Sequence, residues 1–270
     1  MSHPLRFALN RMVAPRLSLS EFIDLAVTLK ADAIELRNDL KGIGIEGGTP
    51  PDSIREQCQT HGIRVLSINA LYPFDVWNDE RRTQALKLAT FARDCGAEAL
   101  VLCPFNGPSD LRTAGERTLG LRTALSELAP ILREYDIFGF VEPLGFPQCS
   151  LRLKRQAVDA ITATGGLDVF RVVHDTFHHH LANEKEFFAD LTGLVHISGV
   201  EDRDVPLAGL RDGHRVLVGE GDILGNSMQI DRLLRDGYVG HLSFEPFADS
   251  VHELVDITQA VAASMAYLQG

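Results

Sequence analysis

Short, almost uninterrupted apolar runs alternate with stretches of helical period from one end of the chain to the other. Residues 7–10, 33–37, 64–70, 99–105, 138–144, 170–176, 194–200 and 241–247 form the runs. Apolar side chains on both sides of a strand are expected where a parallel sheet is covered on both faces. Between the runs the period changes. Phe22, Leu25, Ala26 and Leu29 fall on one helical stripe, as do Leu121, Leu125, Leu128 and Leu132. Ser18 with Glu21, and Ser250 with Glu253, have the spacing of a capping box. Leu254, Ile257, Val261, Met265 and Leu268 give a closing helix an apolar face.

Eight strand-then-helix units predict an α/β fold, a single (β/α)8 TIM barrel over residues 1–270. Parallel strands need crossover helices, and eight of them close into a cylinder without an exposed edge. A doubly wound open sheet is the alternative. The barrel is preferred because the pattern stops after the eighth pair and leaves no block for a second domain. Residues 41–51 and 200–222 break the rhythm, and both follow strand ends, where barrel enzymes carry their chemistry. Gly42, Gly44 and Gly47 match a dinucleotide fingerprint only formally, since Pro50-Pro51 separates them from the next helix.

Composition narrows the function. The 270 residues are 45% hydrophobic and carry 26 basic against 37 acidic side chains, a formal charge of −11. Such a surface repels phosphate backbones and anionic lipid, so neither nucleic acid nor membrane is an expected partner. No apolar run approaches the ~20 residues that span a bilayer. Met1-Ser2-His3-Pro4 leads almost directly into a strand, without a basic-then-apolar leader, and the four cysteines show no Cys-x-x-Cys spacing. A cytoplasmic protein with reduced thiols is the expectation.

Polar residues at the C-terminal ends of barrel strands point into the mouth. They are Asn10, Glu35 or Arg37, Asn69, Cys103, Glu142, Asp175, His196 and Glu245. The last four end strands five to eight, and each is a good metal ligand. Three carboxylates on one rim repel each other unless a cation neutralises them. Two Glu, one Asp and one His suit a single catalytic Mn²⁺, Mg²⁺, Co²⁺ or Zn²⁺ better than a structural zinc. The bland reading of any one such residue is a cap or loop anchor; four in succession favour the metal.

Glu142-Pro143, Asp175-Thr176-Phe177-His178, His196-Ile197 and Phe244-Glu245-Pro246 resemble the xylose-isomerase-like superfamily of sugar isomerases and epimerases. Asn69-Ala70-Leu71, Gly145-Phe146-Pro147-Gln148-Cys149, His180, Glu201-Asp202 and the stretch from Arg215 to Gly219 and Gly221 resemble its inosose isomerase branch. The resemblance implies metal ligation by Glu142, Asp175, His196 and Glu245. It implies proton transfer by Glu142 and Glu245, and substrate oxygens bound by His178 and Arg215. The substrate would be a small polyhydroxy ketone isomerised through an enediolate, with the cation polarising the carbonyl.

Asn69, Arg37 and Trp77 are further candidate substrate contacts, Asn10 a more distant one. Tyr72, Phe74 and Trp77 either lid a sugar ring or pack on a loop or a second subunit, which leaves a homo-oligomer open. His174 reads as a hydrogen-bonded core residue and His179 as a surface one. Glu220 either orients Arg215 or merely occupies a turn. Two other outcomes share the same metal. Elimination of a β-hydroxyl would make the protein a dehydratase of an inosose or a dehydroshikimate-like acid. The abasic-site nucleases of the superfamily use extra histidines where this chain has Asn69 and Cys103, although His178, Asp212 and His214 resemble their further metal site. A sugar-binding barrel without catalysis is the remaining alternative.

Overall fold

A computed structural model describes residues 5–40 and 48–270. The dinucleotide-like glycines at 42, 44 and 47 lie outside the described residues. Eight parallel strands close into a barrel in chain order: β1 (Phe7–Asn10), β2 (Ala33–Arg37), β3 (Arg64–Leu71), β4 (Ala97–Leu102), β5 (Phe138–Val141), β6 (Phe170–Asp175), β7 (Thr192–Ile197) and β8 (Leu242–Phe244). β8 pairs with β1 through Phe7 opposite Leu242 and Leu9 opposite Phe244, which closes the cylinder.

The intervening helices are α1 (Leu19–Thr28), α2 (Pro51–Thr60), α3 (Asp79–Cys95), α4 (Ala114–Tyr135), α5 (Lys154–Ala163), α6 (Thr176–Ala182) and α7 (Asn226–Arg235). Two more, α8 (Asp249–His252) and α9 (Ile257–Gln269), follow β8. The two predicted stripes, on α1 and α4, are buried against the barrel. Ser18 and Glu21 form the expected capping box. Ser250 and Glu253 do not. Ser250 lies inside the short α8, and Asp256 instead caps α9 by accepting from the Gln259 N–H, leaving Leu254 outside the final helix. An acidic oxygen one step before the helix satisfies the same orphan N–H groups.

The interior of the barrel is layered. Its floor is a small apolar cluster of Ala8, Ala33, Leu66, Ala99, Val101, Phe140, Val173 and Leu194. Above it lies a fully buried polar tier of Asn10, Glu35, Ser67, Asn69, His196 and Ser243. The larger apolar core sits between strands and helices. No helix among the described residues is long and apolar enough to cross a membrane.

Candidate metal centre

Glu142 and Glu245 directly follow β5 and β8, while Asp175 and His196 lie at the ends of β6 and β7. One donor atom from each lies within 4.8 Å of all the others, and all four residues are buried. His196 Nδ1 is the hub: it lies 2.8 Å from Glu142 Oε1, 3.2 Å from Glu245 Oε2 and 4.0 Å from Asp175 Oδ2. Asp175 has its rotamer fixed by local structure, since its Oδ1 caps α6 by accepting from the His178 N–H at 3.0 Å. Its Oδ2 is thereby turned toward the quartet.

Counter-charge comes from the protein as well. The Arg215 guanidinium, 1% exposed, donates to Asp175 Oδ2 at 2.6 Å and to Glu245 Oε2 at 3.1 Å. Ser198 Oγ accepts from its Nε, and the Phe247 and Phe177 rings lie against it. Arg37 donates to Glu245 Oε1 at 2.6 Å and pairs with both oxygens of Asp39. Carboxylate crowding alone therefore does not demand a dication, as the sequence argument had it. What fits a metal is the donor set: three oxygen ligands and one imidazole nitrogen aimed at one point, a hard and open arrangement.

The protonation states follow from these contacts. Burial lowers the basicity of His196, but Glu245, Glu35 and Glu142 around it raise its pKa well above the usual histidine value. Burial raises Glu142 and Asp175 less than their neighbours lower them, His196 for the first and Arg215 for the second. The excess of carboxylate falls on Glu245: burial, with Glu142 beside it, pushes it up to about 7 against the pull of His196 and the two arginines.

Above the quartet opens a cavity of about 260 Å³, small for a ligand site and suited to a compact molecule. Arg37, Asn69, His178 and Arg215, the candidate substrate contacts, all line it. Trp77 does not. It is half-buried and packs on the apolar core, as does the fully buried Phe74, so of that aromatic trio only Tyr72 reaches the mouth. The apolar wall comes instead from Leu144, Phe146 and Phe247. Arg37 and Glu35, posed as alternatives, both face inward: Arg37 at the mouth, Glu35 one tier below.

Two polar atoms in the mouth are buried without a partner, His178 Nδ1 and Asn106 Oδ1. Asn106 carried no signal in the sequence, because it stands in an irregular loop after β4. The supposed further metal site is not assembled. Asp212 faces Arg215, and His214 Nδ1 is engaged by the Arg211 backbone N–H. The quartet is the group of converging donors found among the described residues. His174 is the hydrogen-bonded core residue expected, held by Gln229 and Lys154. His179 is half-buried on Lys154 rather than at the surface. Glu220 is exposed, and Arg215 is held instead by Ser198, Asp212, Asp175 and Glu245.

Gly145 explains part of the Gly-Phe-Pro-Gln-Cys stretch. A Cβ there would stand 2.2 Å from the His178 carbonyl oxygen and 2.9 Å from the Ala182 nitrogen. Only glycine lets this loop close against α6, the helix that presents His178 to the mouth.

A profile of the xylose isomerase-like TIM barrel family matches residues 23–269. An inosose isomerase of Halalkalibacterium halodurans is 27% identical over 214 residues, covering 75% of this chain and 73% of the relative. A xylose isomerase domain containing protein from Salmonella typhimurium LT2 superposes with a TM-score of 0.92 at 34% identity, covering 100% of this chain and 99% of its own. The IOLI protein, solved with a zinc atom, has the same fold, with a TM-score of 0.88 at 21% identity over 98% of each chain.

Proposed function

The chain belongs to the xylose isomerase-like TIM barrel family, and on that premise we propose that it is a metal-dependent isomerase or epimerase of a small, uncharged polyhydroxy ketone of the inosose type. One observation carries the proposal: four ligand atoms lie within 4.8 Å of one another, and two of their residues, Glu142 and Glu245, line a cavity of small-molecule size. Inosose isomerases among the relatives support the substrate class.

Glu142, Asp175, His196 and Glu245 would hold the dication, which would polarise the ketone carbonyl of a bound α-hydroxyketone. The chain's own groups do the rest. Glu142 after β5 and Glu245 after β8 both reach His196 Nδ1 and both line the cavity, and they are the acid/base pair, one accepting the proton next to the carbonyl and the other returning one. Arg215 stabilises negative charge on the substrate oxygen as that proton leaves. His178 Nδ1 and Asn106 Oδ1, lacking protein partners, are completed by substrate hydroxyls. Leu144, Phe146 and Phe247 cover the apolar face of the ring and exclude water.

The pairing of the mouth cations supports a neutral substrate. Arg37 is held by Asp39 and Glu245, and Arg215 by Asp175, Glu245 and Asp212. A substrate phosphate or carboxylate would have to displace one of these buried pairs, which disfavours a dehydroshikimate-like acid. The test is incubation of the manganese-loaded protein with inosose in D₂O, followed by proton NMR. Loss of the α-proton signal that depends on metal and vanishes in Glu142→Gln is expected. An ultraviolet-absorbing product would point to elimination instead, and no exchange with inosose or a ketohexose would overturn the proposal.

A further inference from the structure

His196 has two ring nitrogens with different neighbours. Nδ1 faces Glu142, Glu245 and Asp175, whereas Nε2 points down into the polar tier, 3.2 Å from the Glu35 carboxylate. Glu35 sits on β2, two residues before the mouth arginine Arg37, and both Glu35 and His196 are 0% exposed. The other contacts of Glu35 are neutral donors. Ser67 Oγ donates at 2.5 Å and Asn69 Nδ2 at 2.9 Å to one oxygen; Ser243 Oγ and, at 3.3 Å, Asn10 Nδ2 donate to the other. Four strands besides its own thus fix this carboxylate in place: β1, β3, β7 and β8.

We propose that Glu35 is a positioning residue for the metal centre: it accepts the Nε2 hydrogen of His196, so that the Nδ1 lone pair is the one presented to the cation. The inference rests on the metal-centre reading above, and it assigns a role outside the four ligands. A buried carboxylate ringed by four donors cannot swing away. The imidazole therefore has its rotation and its tautomer set from below, while its ligating nitrogen is set from above. A carboxylate behind the ring also makes Nδ1 a stronger donor than a neutral acceptor would. Ser67, Ser243, Asn69 and Asn10 hold Glu35 and do not touch the ring's ligating side. Of these, Asn10 also donates to Glu245 at 3.1 Å, linking the tier to the mouth.

The test is direct titration of the metal-stripped protein with Co²⁺ and Zn²⁺, following the visible cobalt spectrum and the dissociation constant. Wild type, Glu35→Gln, Glu35→Ala and Ser67→Ala are compared. Glu35→Gln keeps an acceptor without the charge and should weaken binding about tenfold; Glu35→Ala removes the acceptor and should weaken it about a hundredfold, with a changed cobalt spectrum. Ser67→Ala loses a buried hydrogen bond and some thermal stability but should keep wild-type affinity. Glu35 variants that fold and bind as wild type would overturn the role. Wild type that binds neither ion would instead defeat the metal centre itself. Independently of any variant at Glu35, long-range ¹H–¹⁵N correlation of His196 in the zinc-loaded wild type should show the proton on Nε2. A proton on Nδ1 would refute the proposal.

Discussion

Metal binding should displace protons, and the structure says how many. Without metal, the carboxylates of Glu142 and Glu35 lie at His196 Nδ1 and Nε2, and with Glu245 they push its pKa well above the usual value, so the doubly protonated ring that donates to both is the expected form. Ligation through Nδ1 removes one of those protons at any pH near neutrality. Glu245, pushed up to about 7, is about half protonated at pH 7 and must lose that fraction as well. The sum is about 1.5 protons released per metal at pH 7. Both groups are protonated free and deprotonated bound, so affinity rises with pH. The dissociation constant should fall about 30-fold between pH 6.5 and 7.5, with a slope approaching two protons below that window and one above it. Calorimetric titration with Zn²⁺ in two buffers of different ionisation enthalpy measures the count. Glu245→Gln should bind more weakly yet release only about one proton. A dissociation constant that is flat with pH would refute the reasoning, because His196 would then be neutral before the metal arrives.

Other expectations follow from packing. Gly145→Ala drives a methyl group into the α6 backbone, which cannot give way as a side chain could; a loss of about 3 kcal/mol is expected in urea unfolding, and a change under 1 kcal/mol would contradict the contact. Asn106→Ala should raise KM for inosose about tenfold with kcat little changed, since it removes a hydroxyl acceptor and no reacting group. An unchanged KM would leave Asn106 without a ligand role. Trp77→Phe should lower the melting temperature by a few degrees and leave KM alone. A several-fold shift in KM would return Trp77 to the mouth.

The strands were legible because each is a short apolar run, and the quartet because strand ends are where a polar residue has few structural reasons to be. Periodicity could not separate Glu35 from Arg37. Both lie on the inward face of β2, and which tier each occupies depends on the stagger of eight strands. The aromatic residues after β3 misled for a related reason. Tyr72, Phe74 and Trp77 share a loop, but only the three-dimensional path of that loop sends Trp77 back to the core. Arg37 of β2 and Arg215 of a loop far along the chain were expected as substrate contacts, and only the fold shows them as counter-ions of the acids. His214 looked like a ligand by its resemblance to the repair enzymes' further metal site, yet its Nδ1 is taken by a backbone N–H three residues away.

The apolar floor beneath the polar tier has a kinetic meaning. Among the described residues, Ala8, Ala33, Leu66, Ala99, Val101, Phe140, Val173 and Leu194 plug the barrel from below, so the proposed ion and substrate would share the mouth as their route. On the proposed reading, an ion would enter before the ketone fills the vestibule and would leave after the ketone has gone. Occupancy is last in, first out, so a saturating ketose should shield the ion from a chelator that strips it readily from the resting protein.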